Sequence, residues 1–192
     1  MKKISALILA AFCLIFVLSG CGAENLTGLH HVEIEVQDYG TIKVELDADS
    51  APVTVTNFIN LANEGFYDGL TFHRVVTGSL IQGGDPNADG TGGSKKTIKG
   101  EFSSNGVENP LSHTRGAISM ARRGDSYNSA SSQFFIVMKD LPSLDGDYAV
   151  FGYVTEGMEI VDQISEDTPV SGDMGEVNKE NQPVIASVKV ID

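Results

Sequence analysis

Two short runs commit this chain to a sheet. HVEIEV (residues 31–36) and TIKVEL (residues 41–46) each alternate apolar with polar side chains, and Asp38-Tyr39-Gly40 lies between them. Successive side chains of an extended strand point to opposite faces, so each run buries one face and wets the other. The intervening turn residues bring the two runs together as an antiparallel hairpin. A slip of one residue would turn every valine and isoleucine to water, so the register is strongly specified.

Similar runs recur along the chain. Residues 71–76, 79–82, 116–121, 133–138, 150–154 and 184–191 read as six further strands. Only two stretches have helical spacing. The first carries Val55, Phe58, Ile59 and Ala62 on one face, with Ser50 as the expected N-cap, Pro52 in the first turn and Gly65 at the end. The second spans residues 158–164, with Ile160, Val161 and Ile164 on one side. Residues 83–100 are glycine-rich and turn-forming, and residues 165–182 form a polar stretch. With 41% hydrophobic residues among 192, the composition suits one globular domain. Many strands and two isolated helices predict a mainly β fold: a closed barrel with helices over its ends, closure removing the exposed edges.

The N-terminal segment reads differently. Lys2 and Lys3 precede an uncharged apolar stretch over residues 4–18, too short to span a membrane comfortably, and Leu18-Ser19-Gly20-Cys21 follows. That tetrad resembles the lipobox of bacterial lipoproteins. The expected organisation is a signal peptide over 1–20, a lipidated N-terminus at Cys21 with a tether to residue 30, and a folded domain over 31–192. Cys13 leaves with the signal and Cys21 takes the lipid, so the domain has no disulfide. The formal charge is −13, or −15 without Lys2 and Lys3, which repels nucleic acid and anionic headgroups. The lipid therefore does the anchoring, and the expected location is extracytoplasmic, on the bacterial cell membrane.

Most catalytic chemistries find no residues here. His30, His31, His73 and His113 fit no metal-ligand spacing, and no GxSxG elbow or mature thiol nucleophile is present. Gly90-Thr91-Gly92-Gly93 lacks the Lys-Ser/Thr dipeptide of a phosphate loop and reads as a flexible surface loop. No metal or cofactor is expected. His73 falls on the face opposite Arg74 and reads as a buried, hydrogen-bonded structural residue. What remains is an arginine in an apolar run, followed eight residues later by a glutamine: Arg74 and Gln82 in FHRVVTGSLIQGGD.

That segment (residues 72–85), GTGG (90–93), HTRGAISMA (113–121), SSQFFIV (131–137) and LDGDYAVFGYV (144–154) resemble the cyclophilins, a family of peptidyl-prolyl cis-trans isomerases. The resemblance runs from about His31 to the C-terminus. It implies an eight-stranded antiparallel barrel capped by two α-helices. Arg74 then corresponds to the catalytic arginine, with Gln82 orienting it and contacting substrate backbone. Phe135 corresponds to the aromatic wall for the proline ring, with Leu80 in place of the more usual methionine. Ala121, Arg122 and Gln133 match the groove for substrate backbone, Arg122 through its own backbone, and Leu144 and Tyr148 match two further pocket positions. Arg123 reads as a solvated charge. Ser79 replaces a common pocket phenylalanine, and Ser143 a tryptophan frequent in eukaryotic members. The implied partners are proline-containing segments of exported proteins, met by a monomer. A weakly active or non-catalytic proline-peptide-binding module is the alternative.

Overall fold

The computed structural model describes residues 24–192, so the expected signal peptide, Cys13 and Cys21 lie outside the described residues. The order is β1 (Leu29–Val36), β2 (Gly40–Asp47), α1 (Pro52–Asn63), β3 (Phe72–Val76), β4 (Leu80–Gly83), β5 (Ala117–Met120), β6 (Phe134–Val137), β7 (Val150–Glu156), α2 (Met158–Asp167) and β8 (Ile185–Val190). The β1–β2 hairpin has the register the alternation demands, Ile34 facing Ile42 and Val32 facing Val44, all four buried. Residues 26–30, expected as tether, are already tied down. Leu26 N–H donates to Thr56 Oγ1 of α1, Gly28 N–H to Asp49 Oδ1, and β1 starts at Leu29.

All eight strands form one antiparallel sheet in the order β3-β4-β6-β5-β7-β2-β1-β8. The expected closed barrel is not formed; the sheet curls into an open half-barrel. Its edge strands β3 and β8 share no ladder and meet only at one end, where Thr71 bridges Val184, Phe72 N–H donates to Pro183 O, and Ile185 N–H donates to Leu70 O. The reason lies on the outer edge of β3, which residues 175–177 already occupy. Val75 N–H donates to Gly175 O, Val177 N–H to His73 O, and Arg74 bridges Glu176. The polar stretch read as a connector thus supplies the edge partner that closure would have supplied.

The sheet buries both faces over β4, β5 and β6. On one, Ile81, Phe134, Ile136 and Ile118 join the main core beneath α1. The Phe58 ring of α1 lies 4.9 Å from Tyr67, 5.2 Å from Phe151 and edge-on to Phe134 at 5.5 Å. Burying such a ring stabilises by about 1.5–3 kcal/mol. On the other face Leu80, Ala117, Phe135, Val137 and Val150 form a second, smaller apolar cluster. Period-2 geometry places Gln82 on the same face as Leu80.

Both helices differ from expectation at one end. Ser50 does not cap α1: Ala51 holds the N-cap position without a side-chain bond, and Ser50 Oγ donates to Asp47 Oδ2 instead. The exposed N–H groups of the first turn are met from far away in sequence. The buried carboxylate of Glu101 accepts from Val53 N–H at 3.0 Å, Thr54 N–H at 2.8 Å and Thr54 Oγ1 at 2.7 Å. An anion at a helix N-terminus is also favoured by the helix dipole. Helix α2 runs to Asp167, with Ser165 buried beside Val161 and Ile164, so it takes the first turn of the polar stretch.

Removing that distant cap strips three donors of their acceptor in a dry site. Glu101→Ala should lower unfolding free energy by about 2–3 kcal/mol, and Glu101→Gln by less, measured from urea midpoints at pH 7. Equal midpoints for wild type and Glu101→Ala would contradict the assignment.

Candidate active site

Arg74 and Gln82 are cross-strand partners in β3 and β4, and Gln82 in turn faces Phe135 in β6. The three side chains share the outer sheet face and line a cavity of about 650 Å³. Arg74 Nε donates to Met174 O at 2.8 Å, and Nη1 to Gln82 Oε1 at 3.0 Å. Gln82 Nε2 donates to Gln133 Oε1 at 2.9 Å, and Gln133 Nε2 to Gly92 O at 2.8 Å and Gly90 O at 3.1 Å. A guanidinium only donates, so Gln82 must turn its oxygen to Arg74 and its amino group to Gln133, which repeats the pattern.

The acceptors at the far end are held in place. Asp85 is fully buried, and its carboxylate accepts from Asn87 N–H at 2.8 Å, Gly90 N–H at 2.6 Å and Asp89 N–H at 3.2 Å. A side chain at Gly92 would collide with Asp85, so only glycine lets the loop wrap that carboxylate. Gly90–Gly93, read from sequence as a flexible surface loop, is thus tied down at one end of the Arg74 chain of bonds.

The apolar wall is Phe135, only 4% exposed, with Leu80, Ala121 and Leu144 around it. Tyr148 meets it edge-on at 5.8 Å, and His113 stacks on it at 5.9 Å with an interplanar angle of 11°. His113 Nδ1 lies 2.7 Å from Asp145 Oδ1 and Nε2 lies 3.0 Å from Ser119 Oγ. The carboxylate accepts only, so Nδ1 carries the proton and the Ser119 hydroxyl donates to Nε2. Burial pushes the His113 pKa below the usual histidine value, although Asp145 opposes it. The Arg122 side chain is fixed. Its guanidinium carbon sits 4.8 Å from the Tyr148 ring centre, 4.9 Å from Tyr127 and 5.4 Å from Phe102, and Nε donates to Asp147 O.

The structure brings Arg74, Gln82, Leu80, Ala121, Arg122, Phe135, Leu144 and Tyr148 around one cavity. Gln133 lines an adjoining one of about 580 Å³ that shares Gln82, Ala121 and Arg122 with the first. Ser79 and Ser143 line neither; Ser143 is exposed in a short 3-10 turn. Two features escaped the sequence reading. Met174 and its neighbours wall one side, and the paired glycines Gly172 and Gly175 were the available sign of a turn there. His73 is buried as expected, but neither ring nitrogen has a hydrogen-bond partner among the described residues. A bulge between Phe72 and Arg74 breaks the alternation and lets His73 line the cavity beside Arg74. Burial lowers its pKa also.

Known proteins give the same picture. The family model for cyclophilin type peptidyl-prolyl cis-trans isomerase/CLD matches residues 31–190. Peptidyl-prolyl cis-trans isomerase B of Bacillus subtilis is 49% identical over 130 residues, covering 68% of this chain and 87% of that protein. A Helicobacter pylori peptidyl-prolyl cis-trans isomerase is 47% identical over 129 residues, covering 66% and 76%. A solved cyclophilin type isomerase from Cryptosporidium parvum superposes with a TM-score of 0.75 at 30% identity, covering 86% of this chain and 99% of that one. A second crystal structure of that protein, in the presence of the dipeptide Ala-Pro, gives a TM-score of 0.73 at 30% identity, covering 84% and 99%.

The two buried histidines carry a pH signature. An unfolded chain takes up their protons as pH falls through 6.5, while the fold holds them off, so native stability should drop from pH 7 toward ~5. His73→Phe should flatten that slope relative to wild type. It should also raise stability at pH 7 by about 1 kcal/mol, since two unpartnered nitrogens become carbon. Urea midpoints across the range check both, and parallel slopes for the two proteins would contradict the account.

Proposed function

This chain belongs to the cyclophilin-type peptidyl-prolyl cis-trans isomerase family, and we propose that it turns X-Pro bonds in proteins folding outside the cytoplasm by electrostatic stabilisation of the twisted amide. Amide conjugation sets a rotation barrier of ~18–20 kcal/mol. At proline the two planar forms are close in energy, yet uncatalysed exchange takes tens to hundreds of seconds. In the twisted form the nitrogen loses conjugation and regains a localised lone pair. A donor fixed beside that nitrogen binds the twisted form better than either planar one, and that difference is the catalysis.

One observation carries the reading. Two of the three nitrogens of Arg74 are committed, Nε to Met174 O and Nη1 to Gln82, whereas Nη2 has no partner among the described residues. Nor does Arg74 pair with any carboxylate there, so its charge is not neutralised. With Nε and Nη1 held, Nη2 is the donor left for a substrate in the cavity that Arg74 lines. Phe135, with Leu80 and Leu144, offers the apolar surface against which a prolyl ring packs. Gln82 retains one amide hydrogen for substrate backbone. No proton is transferred and no covalent intermediate forms.

The setting follows from the N-terminal segment. Cys21, lipidated after removal of residues 1–20, holds the enzyme as a monomer on the outer side of the cell membrane. Its clients are proline-containing segments of exported chains.

Arg74→Ala should cut kcat/KM on a proline peptide by about a hundredfold with little change in KM, because the lost contact exists only in the twisted state. Arg74→Lys should not restore it, since a lysine lacks the fork that bonds Met174 O and Gln82 together. NMR exchange spectroscopy reads both, and equal rates for wild type and Arg74→Ala would refute the mechanism. For the setting, Cys21→Ser should move the protein from the membrane fraction to the soluble one and remove the acyl mass seen by mass spectrometry.

A further inference from the structure

Among the described residues, Met174 is the most exposed of the large apolar side chains, 65% open to solvent, and it belongs to neither apolar cluster of the fold. A single exposed apolar residue is ordinary on a protein surface. This one stands on the wall of the catalytic cavity, which it shares with Leu80, Phe135 and Leu144.

Its main chain has little freedom. Val170 bridges Val177, and Ser171 N–H and Oγ both donate to Glu176 O, which closes the turn. Met174 N–H donates to Glu176 Oε2 at 3.1 Å, and its carbonyl accepts from Arg74 Nε at 2.8 Å. Gly175 has φ 88°, and a side chain there would collide with Val75 O, so only glycine lets the turn lie this close to β3. A fixed backbone thus carries an apolar side chain that the fold itself does not use. Methionine is unbranched and polarisable, so it can adapt to partners of different shape.

The turn covers the outer edge of β3, whereas Gln82 lies on the inner side, in β4. Met174 therefore reaches Arg74 from the side opposite Gln82 and Gln133, and it lines the catalytic cavity but not the adjoining one. A client chain crossing Arg74 meets the glutamines on one side and Met174 on the other. The carboxylates of this cavity are engaged nearby: Asp89 accepts from Thr91 N–H and Oγ1, and Glu176 from Met174 N–H.

We propose that Met174 is a specificity-determining residue. Its side chain packs on an apolar residue flanking the client proline, on the side away from Gln82 and Gln133, so that the enzyme favours leucine or phenylalanine there over alanine or lysine. The inference rests on the isomerase reading and says which client segments that site selects. The contact is the same in planar and twisted forms, so it acts through KM rather than kcat.

The test uses alanine-based peptides with one proline, in which alanine, leucine, phenylalanine or lysine is placed in turn on either side of it. At one of the two positions leucine should raise kcat/KM about fivefold over alanine, through KM. That ratio should fall to about one in Met174→Ser and persist in Met174→Leu. Being a ratio on one protein sample, it does not respond to partial unfolding or to a looser Arg74. Independently of turnover, the Met174 methyl resonance of methyl-labelled protein, assigned by its loss in Met174→Ser, should shift when the leucine peptide is added. Absence of turnover with the all-alanine peptide would sink the isomerase reading, and the methyl titration would still decide the contact. A leucine preference that survives Met174→Ser, no such preference at either position, or a methyl resonance unmoved by the leucine peptide would overturn the proposal. So would lysine outpacing leucine at the same position, which would assign the cavity mouth to Asp89 and Glu176 instead.

Discussion

A guanidinium can donate hydrogen bonds and can accept none, and that asymmetry organises this molecule around Arg74. Each group behind the arginine must turn an acceptor toward it. The sequence of bonds runs from Arg74 to Gln82 to Gln133 and ends on the carbonyls of Gly90 and Gly92. It crosses β3 and β4, passes to the residue preceding β6, and finishes on a loop that Asp85 winds around its carboxylate. Every member has one orientation open to it. Strand register is therefore part of the site: Arg74 opposite Gln82 and Gln82 opposite Phe135 are ladder pairs. One residue of slip would bring Ile81 to the cavity and drive Gln82 into the apolar core.

The two faces of the sheet account for what could be read from sequence. β1 and β2 alternate buried with partly exposed positions, and the letters show it. β5 and β6 are buried at every position, because one face meets the main core and the other the cluster around Phe135. Period 2 disappears from such strands, and only their β-branched and aromatic content marks them. Their outward-facing residues, Phe135 above all, were found through the motifs that resemble a family rather than through pattern. The features missed are those made by partners distant in sequence. Glu101 caps α1 from 47 residues away, and Met174 meets Arg74 from 100 away. Local capping rules favoured Ser50, which lost to a buried carboxylate with three donors to satisfy. The bulge that redirects His73 leaves no local mark in FHRVV.

The departure from a closed barrel matters most for the chemistry. A barrel strand beside β3 would bond its backbone at regular spacing and spend its carbonyls in the ladder. In the half-barrel, a short turn takes that edge. Residues 170 and 177 bridge, Ser171 N–H donates to Glu176 O, and Gly175 at φ 88° reverses the chain. Met174 sits at the tip, where its carbonyl is left over from backbone pairing and accepts from Arg74 Nε. The arginine is gripped from two sides by elements that do not touch each other in the ladder order, Gln82 on β4 and Met174 on the turn. A free arginine side chain carries about 2 kcal/mol of rotamer entropy. Here that freedom is removed by folding, because Nε and Nη1 are both bonded before anything enters the cavity. The edge of β3, covered by a turn rather than by a strand, is in this protein the place where the Arg74 side chain is made rigid.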